Sequence, residues 1–139
     1  MEYVECRKHD TICIGERIRL TVLDFGLFDV GPGKRLIGIP GFLLETEDGQ
    51  GSGAKILFDT GFDPAYATAP EATAARDGLA SFGVLVGFGP AQTAAGQLAK
   101  LGLTAADITR IQIAGLGKTQ TLALKEGRWV TEPQGFAAD

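Results

Sequence analysis

Apolar and polar side chains alternate along several stretches of this chain, which is the pattern of β-strands with one covered face. The alternation is clear in 17–24, where Ile18, Leu20 and Val22 fall on one side. The strands that we predict lie near 17–24, 36–46, 55–59 and 108–113. Asp48-Gly49 and two further glycines precede the third of these strands, so the second and third form a β-hairpin with a long loop.

Helical spacing of apolar residues appears once, at 90–101. Ala94, Leu98 and Leu101 lie on one helical face, Pro90 stands at the start and Gly102 just past the end. Proline at the beginning and glycine after the end are typical of helix boundaries. The sequence therefore predicts an α/β fold with a mostly antiparallel or mixed sheet and one helix.

The remaining stretches give weaker signals. Residues 1–16 lack a clear period and are predicted to be an N-terminal extension, followed by the main region 17–113 and a divergent tail, 114–139. Residues 64–77 are rich in Ala, Thr, Glu and Pro and read as a linker, and the glycine-rich residues 82–89 as a cover for the sheet edge. In the tail, 121–126 is compatible with a helix.

Composition narrows the function classes. The 139 residues suffice for one domain that buries about two thirds of its unfolded surface. No apolar run approaches the roughly 18 to 20 residues of a membrane span, and Met1–Asp10 has no apolar signal region, so we expect a cytoplasmic protein without a membrane partner. The net charge is -4 and no basic cluster contains aromatics, which argues against nucleic acid as a partner.

Asp59 is the candidate functional residue. It follows the apolar residues 56–58 and precedes Thr60 and Gly61, at the end of a predicted strand and the start of a turn. A carboxylate at the buried end of a strand must be hydrogen-bonded, ion-paired or close to a metal. The alternative interpretation is structural, because an Asp in this position also hydrogen-bonds the backbone of its own turn.

Two other motifs fall short of their patterns. Cys6, His9 and Cys13 provide three metal ligands at most, whereas a closed zinc site needs four, so we predict no metal there. Gly117-Lys118-Thr119 follows a predicted strand, but a phosphate-binding loop requires glycine where this chain has Gln112. We therefore expect no cofactor on this chain.

Four segments, in this order, resemble the first half of the metallo-β-lactamase-fold hydrolases, and most closely the group that contains the N-acyl homoserine lactonases. The resemblance covers about 17–113, and its order and spacing carry it more than any single segment. The segments are Val22-Leu23-Asp24-Phe25-Gly26, Ile39-Pro40-Gly41-Phe42-Leu43-Leu44-Glu45-Thr46, Ile56-Leu57-Phe58-Asp59-Thr60-Gly61, and Gln97 to Thr104 with Asp107-Ile108.

The resemblance implies a partial αββα sandwich and, in the family, a metal-dependent lactone or ester hydrolase with two metal ions, usually zinc. In that family the strand matching 108–113 leads into a His-x-His-x-Asp-His motif, whose metals activate water. Here that strand leads into 114–119, and no histidine follows His9. We therefore expect a truncated or degenerate relative without hydrolase activity, in which Asp59 retains the position that supports the metal site in the family.

Two alternatives remain open. Apolar residues before Asp59-Thr60-Gly61 are also similar to retroviral-type aspartic proteases, in which two copies of the Asp share a proton in a dimer. The second alternative is a non-catalytic binding or assembly module. A half-sandwich leaves a sheet face open, so a homodimer or a partner chain would cover it. In the complete sandwich of the family, five apolar residues would belong mainly to a buried core, and without the second sheet some of them would face water: Ile56, Phe58, Ile108, Ile111 and Ile113.

The first testable prediction concerns metals. We expect the purified 139-residue chain to retain no stoichiometric zinc, manganese or iron after dialysis, because the family's histidine ligands have no counterpart here. Elemental analysis of the chain and of a Cys6→Ser, His9→Ala, Cys13→Ser variant measures this. One or two ions per chain that persist in the triple variant would contradict the expectation.

Overall fold

A computed structural model describes residues 11–13, 18–31, 35–47, 53–115 and 118–132. These residues form a mixed α/β fold of eight strands and two α-helices, which confirms the predicted fold class at this level. The strands are β1 (Thr11–Cys13), β2 (Ile18–Asp29), β3 (Leu36–Thr46), β4 (Lys55–Phe58), β5 (Val84–Val86), β6 (Arg110–Gly115), β7 (Lys118–Lys125) and β8 (Arg128–Glu132). The helices are α1 (Pro70–Asp77) and α2 (Ala94–Lys100).

The strands follow the order β1-β2-β3-β4-β6-β7-β8, and β5 pairs with β2 outside this path. The sheet is mixed because β4 and β6 run parallel, whereas β3–β4, β6–β7 and β7–β8 are antiparallel. The chain divides into two compact units. We call the described parts of 1–22, 42–60 and 105–139 the sheet unit, and those of 23–41 and 61–104 the helical unit.

In the sheet unit, the predicted hairpin is confirmed as β3 and β4. Leu43 pairs with Leu57, and Leu57 pairs with Ile111 of β6, so these three side chains lie on one face. Leu43 and Leu57 are buried, whereas Phe42, on the opposite face, is partly exposed. One face of this unit is therefore well covered and the other is partly open to solvent.

Thr109 fixes the parallel pairing at its start. Its backbone N–H donates to the Lys55 carbonyl at 2.9 Å, and its hydroxyl oxygen accepts from the Lys55 N–H at 3.0 Å. On its other side, the Thr109 carbonyl accepts from the Leu124 N–H at 3.0 Å. The residue just before β6 thus sets the register of both of its neighbours.

The tail contains a β-hairpin, so the helix considered at 121–126 was wrong. β7 and β8 are joined by Glu126 and Gly127, with φ values of 50° and 76°. Two successive positive φ values are typical of the type I′ turn, whose twist matches that of paired strands. Glutamate is unusual at the first of these positions, and this explains why the turn was not predicted.

The helical unit is packed around Phe25, whose side chain is fully buried. A Cβ atom built on Gly41 or Gly61 would overlap the Phe25 ring. Both glycines are therefore required by close approach of the ring to the backbone, and Gly61 also has a φ of 66°. The Ile39–Thr46 and Ile56–Gly61 motifs each supply one of these glycines.

Helix α1 lies within 64–77, which was predicted to be a linker, and this prediction was wrong. Pro70 occupies the first turn, and Gly78 ends the helix in the left-handed conformation with a φ of 69°. The Thr73 hydroxyl, which is buried, donates to the Ala69 carbonyl at 2.7 Å. The short apolar face of alanines gave no clear periodic signal.

The helix predicted at 90–101 is divided at Thr93. Pro90–Gln92 forms a 3₁₀ turn, and α2 begins only after Thr93, whose backbone is extended. The Thr93 hydroxyl oxygen accepts from the Gly96 N–H at 3.0 Å and so caps α2. The predicted helix is therefore correct in type but starts too early.

Other boundaries also differ from the predicted ones, and the strand predicted at 108–113 is β6, which runs from Arg110 to Gly115. β2 continues past residue 24 to Asp29, and 82–89 contains the short strand β5, which pairs with it. Thr11–Cys13, in the predicted extension, forms β1 and pairs with β2. The first half of β2 is paired with β1 and the second with β5, so a single long strand serves both units.

The five apolar residues predicted for the core of the sheet differ in burial. Ile108 is buried, Ile56, Phe58 and Ile111 are half-buried, and Ile113 is 39% exposed. Among the described residues, neither helix has the length and apolar character needed to cross a membrane.

The packing of Phe25 gives the second prediction. Gly41→Ala should lower the free energy of unfolding by about 1–3 kcal/mol, because the added methyl group overlaps a ring that cannot move away. Gly38→Ala is the matched control on the same strand, where a Cβ atom meets nothing within 4 Å, and should change stability by no more than about 0.5 kcal/mol. Urea unfolding measures both. Equal effects of the two substitutions on the free energy of unfolding would show that overlap with the Phe25 ring does not destabilise the protein.

Candidate functional site

Asp59 lies in a turn directly after β4. Its φ is 69°, a left-handed conformation that is uncommon outside glycine. Its backbone N–H donates to the Gln112 carbonyl at 2.8 Å, and its carboxylate accepts from the Thr60 N–H at 2.6 Å. The side chain is exposed. This geometry is the one expected of an aspartate that stabilises its own turn, and its part in a metal site stays a prediction.

The residues around this turn do not fit the two-metal site of the resembled hydrolases. β6 continues through Gly115, and Lys118 already begins β7, so a hairpin follows the strand where the family has its histidine motif. Within the described ranges, no three residues of the types His, Cys, Asp and Glu are grouped to hold a metal ion. Cys6 and His9 lie outside these ranges, and of Cys13 only the backbone, in β1, is described.

A group of polar side chains lies in the helical unit around Arg76. Arg76 donates to the Asp63 carboxylate at 2.8 Å and to both carboxylate oxygens of Asp77 at 2.7 and 3.1 Å. Asp63 also accepts from the Ala65 N–H at 2.8 Å and caps a 3₁₀ turn. Tyr66 donates its hydroxyl hydrogen to Asp77 at 3.1 Å. We call Asp63, Tyr66, Arg76 and Asp77 the Arg76 cluster.

The environment shifts the pKa values within the Arg76 cluster. The hydrogen bonds from the Ala65 N–H and from Arg76 lower the pKa of Asp63, and those from Arg76 and Tyr66 lower the pKa of Asp77. Burial, and then the bond to Asp77, raise the pKa of Tyr66. The two carboxylates raise the pKa of Arg76. Both carboxylates are therefore ionised at neutral pH, which makes them poor general acids.

Tyr66 connects the Arg76 cluster to an aromatic group. Its ring contacts Phe62 and Phe88 edge to face, with centroids 5.7 and 6.4 Å away, and Phe62 and Phe88 are 6.1 Å apart. Such perpendicular contacts are favourable for aromatic pairs. Tyr66 is therefore held at both ends, by rings along its body and by Asp77 at its hydroxyl.

One side of Tyr66 borders a cavity of about 260 Å³. Its other walls come from α1, the residues that follow it and β5, and they are mainly alanine, leucine and valine side chains. Among the described lining residues, only Glu71 and Tyr66 carry ionisable side chains. The lining consists of Tyr66, Pro70, Glu71, Ala74, Ala75, Leu79, Ala80, Gly83, Val84 and Leu85. An apolar cavity of this kind is suited to binding rather than to acid–base or nucleophilic chemistry.

The residues of this site were not predicted from the sequence, although the helix that carries part of it has local boundary signals. Pro70 and Gly78 are eight residues apart and mark the start and end of α1. The contacts of Tyr66 with Asp77 and of Asp63 with Arg76 join residues that are not adjacent in sequence. Asp59, the predicted site residue, belongs to the sheet unit and is not one of the residues of the cavity.

Comparison with known proteins found no match. Neither the models of protein families, nor the curated proteins, nor the solved structures include one that matches this chain.

The third prediction is an acid dependence of stability that requires Arg76. The pKa values of Asp63 and Asp77 lie below their ordinary value of 3.8 in the folded protein. Their contribution is therefore fully present above that value and is lost as the pH falls through the lower, folded values. Arg76→Gln should destabilise the protein at about pH 6, and this difference should shrink toward about pH 2.5.

Urea unfolding at these two pH values measures the difference. Arg35→Gln is the control, because Arg35 is exposed and forms no ion pair within the described part of the chain. A destabilisation by Arg76→Gln that is the same at both pH values would show that the ion pairs do not contribute.

Proposed function

We propose that this chain is a non-catalytic binding module, related to the metal-dependent lactone and ester hydrolases, that holds a small apolar molecule in the cavity beside α1. The observation that carries the proposal is the cavity itself, which has a volume of about 260 Å³ and mainly aliphatic walls. The volume exceeds the roughly 150 Å³ of an engineered apolar cavity that binds benzene. A ligand of up to three aromatic rings, or a short branched hydrocarbon, matches it.

The relationship to these hydrolases is supported by the order of the elements. The β3–β4 hairpin leads to Asp59 at its turn, and β6 returns parallel to β4 after α2. A partial αββα sandwich is the architecture that we propose from the resembling segments. The relationship rests on the sequence motifs, since a mixed sheet with helices occurs in many unrelated proteins.

The absence of catalysis is supported by the end of β6. Gln112 and Ile113 pair with Thr121 and Gln120 of β7, so hydrogen bonding between strands continues to the point where the family has metal ligands. Asp59 bonds the backbone of its turn instead. Because this carboxylate bonds its own turn, we propose a structural rather than a catalytic role for Asp59.

The charged and polar groups around the cavity restrict the class of ligand further. Glu71 lies in the lining, and the Tyr66 hydroxyl already donates to Asp77. An anionic ligand would be repelled by Glu71, and a ligand with many hydrogen-bonding groups would leave them unpaired against aliphatic walls. The proposed ligand is therefore neutral and largely apolar.

The fourth prediction is that the cavity binds the neutral dye N-phenyl-1-naphthylamine, which is measured by the fluorescence of the dye. The dye should bind the chain and gain fluorescence in a saturable way, because the aliphatic walls of the cavity shield part of it from water. Ala74→Phe, which fills the cavity, should weaken binding by about tenfold or more. Ala72→Phe is the matched control, because Ala72 is exposed on α1 and is not part of the lining, and it should bind the dye as the wild type does.

Two results would contradict the proposal. One is dye binding that is equal in both phenylalanine variants while each retains a cooperative unfolding transition. The other is hydrolysis of a lactone, ester or peptide substrate that is lost in Asp59→Asn. Dependence of that activity on added zinc would favour a hydrolase, and an optimum between about pH 4 and 6 in a dimer would favour the aspartic protease.

A further inference from the structure

Strand β8 presents one edge of its backbone without a neighbouring strand in the described structure. It lies at the end of the strand order and pairs only with β7. With five residues, it is longer than β1, the three-residue strand at the other end. Trp129 and Val130 are 39% and 38% exposed. An exposed edge of this length is a site at which another strand can add to a sheet.

The direction of the backbone groups follows from the register. In β7, the N–H of Leu124 donates to the Thr109 carbonyl and therefore points away from β8. Leu124 is the residue opposite Trp129. Trp129 is therefore in a pair that does not exchange hydrogen bonds with β7, and so, by alternation, is Thr131. The N–H and C=O groups of Trp129 and Thr131 point to the outer edge, where an incoming strand would bond them.

The charges of β8 are arranged symmetrically about its centre. Arg128 and Glu132 lie at the two ends, on the same face as Val130 in the middle. Within its own chain, Glu132 also forms ion pairs with Arg110 at 3.4 Å and with Lys125 at 3.6 Å. If a second β8 pairs antiparallel with Val130 opposite Val130, each Arg128 lies opposite a Glu132 of the other copy. Opposite charges in directly facing positions stabilise a pair of strands.

Shifted registers lose this complementarity. A shift by two residues places Arg128, or in the other direction Glu132, opposite Val130 of the other copy, so both opposite-charge pairs are lost. A shift by four brings Arg128 opposite Arg128, or Glu132 opposite Glu132, and like charges in facing positions destabilise a strand pair. The favoured register also makes Trp129 and Thr131 the hydrogen-bonded pairs, in agreement with the direction of their backbone groups. The backbone geometry allows this register and those shifted by two residues, and the charge pattern selects this one among them.

We propose that β8 is a docking edge for a second copy of this chain, paired antiparallel about Val130. The arrangement is a two-fold dimer in which both copies contribute the same strand. It does not depend on ligand binding beside α1, since the residues of that cavity belong to the helical unit. Pairing of five residues lies at the small end of protein interfaces, so the dimer should dissociate on dilution.

Cross-linking tests the register. In a background of Cys6→Ser and Cys13→Ser, Val130→Cys should form a disulfide-linked dimer under oxidised glutathione, because the Cα atoms of a pair without hydrogen bonds are about 4.5 Å apart. Trp129→Cys is the matched control, since in this register each Trp129 faces Thr131 of the other copy. Equal cross-linking of both variants, or none in either, would overturn the proposal.

Sedimentation across a dilution series tests the contacts. Arg128→Glu should raise the dimer dissociation constant by about tenfold or more, because it replaces two attractive pairs by two repulsive ones. Lys118→Glu, at the start of β7, makes the same change in net charge away from the edge and should leave the constant unchanged. Thr131→Pro removes only an outward N–H and should also abolish the dimer.

Each variant must show the wild-type unfolding transition, so that loss of the dimer is separated from loss of the fold. A wild-type chain that is monomeric at every concentration, or a dimer that survives Thr131→Pro, would overturn the proposal. Binding of N-phenyl-1-naphthylamine by the same variants gives an independent readout of the cavity.

Discussion

The buried ring of Phe25 lies against the backbone of two glycines, Gly41 and Gly61, and the helical unit depends on this contact. The ring occupies space that any other residue at these positions would fill with its own Cβ atom. Gln97, also buried, accepts from the Asp24 N–H at 2.9 Å and so ties the same part of β2 to α2. The ring of Phe25 and the absence of a side chain at Gly41 and Gly61 thus determine how β2, β3 and the turn after Asp59 meet.

The candidate binding site depends on Tyr66, which has three roles in the same unit. Its ring packs on two phenylalanines, its hydroxyl bonds Asp77, and its remaining surface borders the cavity. Arg76 fixes Asp77 and Asp63 by charge-assisted hydrogen bonds, which hold α1 beside the turn at Asp63. The polar cluster therefore supports an apolar wall, and this division favours binding of a neutral molecule over chemistry.

Local patterns in the sequence were sufficient for the larger elements of the sheet. Alternation and turn glycines predicted β3, β4 and their hairpin, because strand side chains point to opposite faces with a period of two. The helix at 90–101 was found in type, although a capping hydroxyl at Thr93 shifts its start. Asp59 was placed correctly at the end of a strand, since an acid after an apolar run marks a turn.

Only the tertiary structure determined the rest, for a common physical reason. The α1 helix has a weak apolar face, and only the fold brings its Ala74 and Ala75 together with Leu79 and Leu85 in the walls of the cavity. The β7–β8 hairpin uses Glu126 where Asn or Asp is usual, and the pairing of β7 with β6 supports the turn. The sequence thus determines where strands and turns occur, whereas contacts between residues distant in sequence decide which side chains form a site.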